Sequence, residues 1–414
     1  YEVSIFRGGL EEKGIHSGFG RLAAEMLGKV NVGETDYGQL QKQMMKDTGG
    51  IDFATGIYSI NPGPESTSHS YLPYFSVKAK CLDIKKPELR DLKEKIILGT
   101  PAKVDDRFHQ IVGEMTTRME MSMSQEAHSF VMMKLAASYF DWGVEMDRSK
   151  GIELYRLLKD ISAKEMGTAG IEKGLKEALG CLRSEPLLVS VAGAKESELL
   201  KLAGPSEDRM FKGIREVGTK RPKVRKAFWT NGRVNYCGLG HDYRMSGIEY
   251  SGEMKVLASI LRYGFLWNEI RVKGGAYGAF FNIDRTGFMF MGSYRDPRVA
   301  ATLSDFRNAG EYIRKFHPTE EEMRKYIIGT MSGVDAPRTN SAECERGAEL
   351  AIKGITPEKL QEEREAILDT TPERIRKYGE LLCEMGEKGN VVVIGSKESL
   401  EKDSKEFDEL MQLI

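Results

Sequence analysis

Apolar residues along the chain alternate between helical and strand spacing, and this order occurs twice. Helical spacing predicts an amphipathic helix at 20–28 and another at 250–270, and each is followed by alternating segments typical of strands and then by several helices. Two further helical faces are formed by Leu89, Leu92 and Ile96 and by Phe108, Ile111, Val112 and Met115.

Three helix starts are marked by capping residues. Thr319 with Glu322 forms a capping-box pattern ahead of an apolar run, and Thr356 and Thr371 each precede a proline. We therefore predict that these three threonines are N-caps.

Two segments of the first half resemble two segments of the second. "VSVAGAKES" (189–197) matches "VVVIGSKES" (391–399), with Gly193 and Gly395 about 200 residues apart. "MMKDTGGIDFATGIYS" (44–59) parallels "EIRVKGGAYGAFFNIDRTGFMFMGSY" (269–294), and both contain a Gly-Gly turn before a strand pattern. A period this long is too great for a solenoid repeat and indicates a duplicated domain.

The pattern predicts an α+β fold of two homologous domains, each a mostly antiparallel sheet with helices packed on one face. We place the first repeat at 1–205, a polar linker at 206–226 and the second repeat at 227–414.

Composition limits the partners and the compartment. The chain has 61 basic and 62 acidic residues, so a mainly electrostatic partner is excluded and we expect no nucleic acid and no membrane. The five cysteines form no C-x-x-C pair, which favours reduced thiols and a cytoplasmic location. Because the sequence starts at Tyr1 in a strand-like segment, we expect it to belong to a longer protein.

Local motifs for common chemistries are absent. The six histidines form none of the H-x-x-x-H, H-E-x-x-H or H-x-x-E-H patterns, so we predict that this chain binds no metal. His241 is expected to be a strand or turn residue with an ordinary hydrogen bond. No phosphate-binding loop and no G-x-S-x-G nucleophile motif occurs.

The candidate site is "RVKGGAYG" (271–278). Gly274 and Gly275 permit a positive φ and close backbone approach, which would let Arg271 and Tyr277 face one cleft. A guanidinium can bind a carbonyl or carboxylate, and a phenol can donate to an oxygen that gains negative charge. The alternative is structural, with Arg271 in a surface ion pair and Tyr277 as a cross-strand aromatic.

Taken together, "LWNEIRVKGGAYGAFF", "MGSYRDP", "TMSGVDAPRT" and "LDTTPERI" resemble the last domain of insulinase/pitrilysin zinc peptidases of the presequence-protease branch. "DYGQLQKQMMKDTGGI" resembles the third domain of the same family. The resemblance covers nearly the whole chain and indicates the C-terminal half of such an enzyme.

The resemblance implies roles for the candidate site. Arg271 would hold substrate backbone, and Tyr277 would hydrogen-bond the scissile carbonyl of an unstructured peptide, with Gly274 and Gly275 shaping the turn. The family's zinc motif belongs to its first domain and is absent here. We therefore expect the zinc cofactor in the N-terminal catalytic half of the full-length protein, which would be this chain's partner, and no peptidase activity from this chain alone.

One alternative stays open at this point. The same fold serves as a catalytically inactive scaffold or assembly subunit in some relatives. Arg271 and Tyr277 favour the substrate-binding interpretation, because a scaffold has little need of them.

Overall fold

The computed structural model of the protein describes residues 1–60, 70–193 and 222–414, and its strands form two sheets. The first sheet contains β1 (Glu2–Arg7), β2 (Ile51–Ile60), β3 (Ser70–Ala79) and β4 (Leu188–Val191). Its spatial order is β2–β3–β1–β4, and every neighbouring pair is antiparallel.

The second sheet repeats that arrangement and extends it. Its strands are β5 (Arg225–Thr230), β6 (Tyr236–Asp242), β7 (Gly278–Ile283), β8 (Phe288–Tyr294), β9 (Asn390–Ser396) and β10 (Glu409–Gln412). The order is β10–β5–β9–β6–β8–β7, so β7–β8–β6–β9 corresponds to β2–β3–β1–β4. The shared order supports the duplication inferred from the sequence. Strand β5 pairs in parallel with both of its neighbours, β9 and β10.

Helices of each half cover one face of its own sheet. The first half contains α1 (Gly18–Met26), α2 (Tyr37–Asp47), α3 (Lys86–Gly99), α4 (Asp106–Gln125), α5 (His128–Ala137), α6 (Asp141–Lys150), α7 (Ile152–Ser162) and α8 (Thr168–Leu182). The second contains α9 (Glu253–Ile260), α10 (Leu261–Lys273), α11 (Ala300–Arg307), α12 (Ala309–Arg314), α13 (Glu320–Val334), α14 (Asn340–Lys353), α15 (Pro357–Leu368), α16 (Pro372–Lys388) and α17 (Lys397–Lys402). Short 3₁₀ turns occupy Glu11–Lys13, Asp83–Lys85, Tyr243–Ser246 and Ser404–Glu406. The predicted fold class is confirmed.

The predicted helix starts are also confirmed. Thr319, Thr356 and Thr371 each accept a hydrogen bond from a backbone N–H of the first helical turn that follows. Thr319 and Glu322 form the full capping box, because each side chain bonds the other residue's backbone.

The domain boundaries stay a prediction. Residues 194–205 and most of the linker, 206–221, lie outside the described residues. The last two residues assigned to the linker, Arg225 and Lys226, begin strand β5.

Each half also supplies a helix to the other half's sheet. Helix α5 packs on β6, β8 and β9, while α14 packs on β1, β2 and β4. Gly238 in β6 makes room for α5, because a Cβ there would lie 2.3 Å from a Val131 methyl group. Val3, Ile5 and Leu72 form the matching apolar contact with Cys344 and Ile352 of α14.

Candidate functional site

The candidate site lies where α10 turns into the edge strand β7. Helix α9 continues without a break into α10, which is wound as a wide π-type helix. Such helices are rare and frequently mark functional positions. The buried residues Leu266 and Ile270 hold α10 against the sheet, and the helix ends at Lys273.

The two glycines of the turn have different roles. Gly275 has φ +79°, and its N–H donates to the Arg271 carbonyl at 3.0 Å. Gly274 has room for no side chain, because a Cβ there would lie 2.0 Å from Nη2 of Arg298. That nitrogen donates to the Glu269 carbonyl and pairs with Asp305, each at 3.1 Å. Positive φ and close approach are both used, one at each position.

Arg271 and Tyr277 lie together on the surface. The guanidinium carbon of Arg271 lies 5.6 Å from the centroid of the Tyr277 ring and 4.2 Å from that of Trp267. Tyr277 is 65% exposed, and Arg271 is exposed as well. Both polar groups therefore face the same side of the molecule and open to solvent.

The geometry also bears on the structural alternative. Among the described residues, no carboxylate lies within ion-pairing distance of Arg271. Tyr277 does pack edge-on against Tyr294, with ring centroids 5.6 Å apart, and its N–H donates to the Tyr294 carbonyl at 3.0 Å. The cross-strand contact thus orients the tyrosine while leaving its phenol exposed.

Sequence reasoning did not single out Trp267, Tyr294 and Arg295 as parts of this site. Arg295 has φ +49° and places its guanidinium carbon 5.5 Å from the Tyr294 ring centroid. Tyr294 was detectable in principle, since it ends β8 opposite Gly278 in the hairpin register. Trp267 lies four residues before Arg271 on the same helix, which is a spacing that brings side chains together.

A buried carboxyl group anchors the segment after β8. Asp296 is fully buried, accepts from the Thr302 hydroxyl at 2.8 Å and from the Arg298 N–H at 2.9 Å. Burial raises the pKa of Asp296 above its usual range. The Asn235 and Asp296 backbones exchange two hydrogen bonds of 2.8 Å, which joins the segment to β6.

The first repeat provides a natural comparison. Lys46 lies three residues before Gly49, as Arg271 does before Gly274, and Asp52 lies two residues after Gly50, as Tyr277 does after Gly275. Both Lys46 and Asp52 are exposed. The first repeat therefore keeps the turn but carries no aromatic hydroxyl at the corresponding position.

Zinc does not fit the donors present in the described parts of the chain. Across residues 1–60, 70–193 and 222–414, no group of three or more His, Cys, Asp or Glu side chains is arranged to hold a metal ion. His69 lies outside the described residues. No described helix is both long and apolar enough to cross a membrane.

The expectation for His241 is half wrong. It lies on strand β6, as expected, but neither ring nitrogen has a hydrogen-bond partner among the described residues. Burial lowers its pKa, so the imidazole is held as an uncharged core residue.

Comparison with known proteins matches both halves of the chain. A family model described as the PreP C-terminal domain matches residues 225–397, and a model described as associated with peptidases of M16 subfamily C matches residues 19–161. Protein HypA of Clostridium perfringens is 29% identical over 95% of this chain and 40% of its own length. Presequence protease 1 of Arabidopsis thaliana is 24% identical over 93% of this chain and 36% of its own length.

Solved structures share the fold. The peptidase M16 inactive domain of Pseudomonas fluorescens matches 96% of this chain and 92% of its own, with a TM-score of 0.57 and 14% identity. Pitrilysin matches 95% of this chain and 40% of its own, with a TM-score of 0.57 and 16% identity.

The fold and the paired repeats are those of the M16 peptidases, and the chain belongs to that family. Within it, the chain corresponds to the C-terminal, inactive-type half of the presequence-protease branch. It spans two fifths or less of the length of the two relatives named above.

Proposed function

We propose that this chain is the substrate-binding half of a zinc peptidase that hydrolyses unstructured peptides. The observation that carries the proposal is the exposed pair of Arg271 and Tyr277. Membership of the M16 family supports the reaction type, and the lack of metal donors in the described residues supports a zinc site on another part of the enzyme.

In this proposal the two side chains assist bond cleavage without supplying the nucleophile. The Arg271 guanidinium binds carbonyl oxygens of the peptide backbone, and the Tyr277 phenol donates to the scissile carbonyl as negative charge develops on it. Trp267 and Tyr294 pack on the pair and restrict its orientations. The partner is an N-terminal half that holds the zinc, and the compartment is the cytoplasm.

The test compares Tyr277→Phe with the wild type in the presence of the zinc-bearing half, using an internally quenched unstructured peptide. We expect kcat to fall roughly 10²- to 10³-fold with little change in KM, as for the loss of one oxyanion donor. Asp52→Asn is the matched control, because it alters the equivalent position of the first repeat.

Chelation provides the second arm of this test. Cleavage should stop when zinc is removed and return when it is restored. Absence of cleavage by the combined halves, or equal rates for Tyr277→Phe and wild type, would favour the scaffold function instead.

A further inference from the structure

Two large aromatic side chains lie exposed on α10 beside the proposed site. Tyr263 is 58% exposed and Trp267 is 42% exposed, and with Arg271 they follow a spacing of four residues. We call these three residues the outer flank of α10. Grouped exposed aromatics on one side of a helix are typical of a binding surface.

The outer flank projects beyond the edge of the second sheet. The opposite side of α10 faces the interior of the domain, where the Glu269 carbonyl accepts from Arg298 and a Cβ on Gly264 would lie 2.6 Å from the Tyr312 hydroxyl. Since α10 lies under the edge strand β7, the side turned away from the interior lies outside that edge.

The outer backbone of β7 is available for pairing. The Asp284 N–H donates to the Phe288 carbonyl at 3.1 Å, which fixes the register so that even-numbered residues of β7 bond β8. The N–H and C=O groups of Ala279, Phe281 and Ile283 therefore point outward. In the described part of the chain, no strand pairs with this side of β7.

We propose that the open edge of β7 and the outer flank of α10 bind an extended, unfolded peptide as an added strand. Backbone bonds to β7 would align the peptide, and its alternate side chains would lie over Trp267 and Tyr263. At the start of β7 the strand would meet Arg271 and Tyr277, so the surface is continuous with the proposed site. The identity of the ligand as a peptide rests on the proposed function.

Tryptophan fluorescence reports on this surface without any cleavage. The chain has three tryptophans, of which Trp142 is buried and Trp229 is half-buried against Lys397. Titration with a tryptophan-free, unstructured peptide carrying phenylalanine at every second position should shift the emission of Trp267 to shorter wavelength. Trp267→Phe should abolish that shift, and a peptide with serine in place of the phenylalanines should bind more weakly.

Two variants test the flank and the edge separately, with affinity measured by anisotropy of the labelled peptide. Tyr263→Ala should weaken binding roughly tenfold, as expected for one lost aromatic contact. Ala279→Pro should weaken it similarly, because proline removes an outward N–H while leaving the bonds to β8. The matched controls are Val272→Ala, an exposed residue of the same helix outside the flank, and Ala279→Val, which keeps the N–H.

The outcomes separate this inference from the proposed function. Unchanged affinity in both Tyr263→Ala and Ala279→Pro overturns the inference even if Tyr277-dependent cleavage is observed. Self-association that Ala279→Pro abolishes overturns it as well, since the edge would then pair with a second copy. Peptide binding that both variants weaken supports the inference even if the combined halves cleave nothing.

Discussion

Gly274 and Gly275 solve two different geometrical problems in adjacent positions. Gly275 adopts a left-handed backbone conformation, while Gly274 allows the Arg298 guanidinium to lie against the backbone. Together they fix the short distance between Arg271 and Tyr277. The residue scale is where the chemistry of this site is specified.

Gly274→Ala should destabilise the protein by about 1–3 kcal/mol, because its Cβ would overlap Arg298 and the Ile270 carbonyl. Thermal unfolding measures the effect. Gly329→Ala is the control: this helical glycine has open space around it, so alanine should stabilise by about 0.5–1 kcal/mol. Equal melting temperatures for Gly274→Ala and wild type would show that the close approach is not needed.

His241 should make stability depend on pH. Burial lowers its pKa below the ordinary value of about 6.5, despite the nearby carboxylates of Glu384 and Asp242 and with the help of Lys388. The unfolded chain then binds a proton that the folded chain does not, so this stability is present above about pH 6.5 and is lost as the pH falls through the folded pKa.

The measurement is the melting temperature at about pH 7.5 and about pH 5.5, on either side of the ordinary histidine pKa. His241→Leu should reduce the loss on acidification, and His317→Gln, an exposed substitution, is the control. His16 and His128, whose pKa values burial also lowers, should leave a residual dependence. An unchanged pH dependence in His241→Leu would refute this assignment.

At the scale of elements, helix starts and hairpin turns set the positions of the strands. Helix α13 starts at a complete capping box, and α15 and α16 start at threonine followed by proline. These local signals act whatever the helix packs against, because they satisfy N–H groups that the helix cannot bond itself.

Thr319→Ala should cost about 1 kcal/mol of stability, since it leaves an N–H at the start of α13 without its partner. Thr330→Ala in the same helix is the control. Its hydroxyl bonds the Tyr326 carbonyl, and alanine there should be neutral or slightly stabilising. Urea titration of both variants checks the prediction, which fails if the two changes have the same sign and size.

At the scale of the whole molecule, the two repeats are joined by exchanged helices. Ser138 and Tyr139, just after α5, bond the buried Asn390 at the start of β9 at 2.7 and 2.9 Å. Asn390 also accepts from the Val224 N–H at 2.9 Å. The halves are therefore expected to unfold together rather than separately.

Asn390→Ala should lower the free energy of unfolding by roughly 2–3 kcal/mol, because it leaves the Val224 N–H and other buried polar groups without partners. Calorimetry should show one transition in both proteins, shifted to lower temperature in the variant. Two separated transitions in the wild type would contradict the idea of joined halves. Ser184→Ala, at an exposed hydroxyl far from this contact, is the control.

Much of the fold was predictable because its signals are local. Helical spacing, threonine caps and the Gly-Gly turns are each read within a few residues, and the repeat of "VVVIGSKES" identified the duplication. Trp267 and Tyr294 were missed because their place in the site depends on contacts between α10, β7 and β8. The unpartnered ring of His241 was missed because a single polar residue on a strand usually finds a hydrogen bond.

The sequence by itself determined the two-repeat α+β architecture, the family and the residues of the turn between α10 and β7, since each of these is written in short patterns. Only the tertiary structure decided that Arg271 packs between two aromatic rings, that β7 is an open edge, and that each half lends a helix to the other. The physical reason is that side-chain contacts and free sheet edges arise from residues far apart in the chain, and local spacing carries no information about which of them meet.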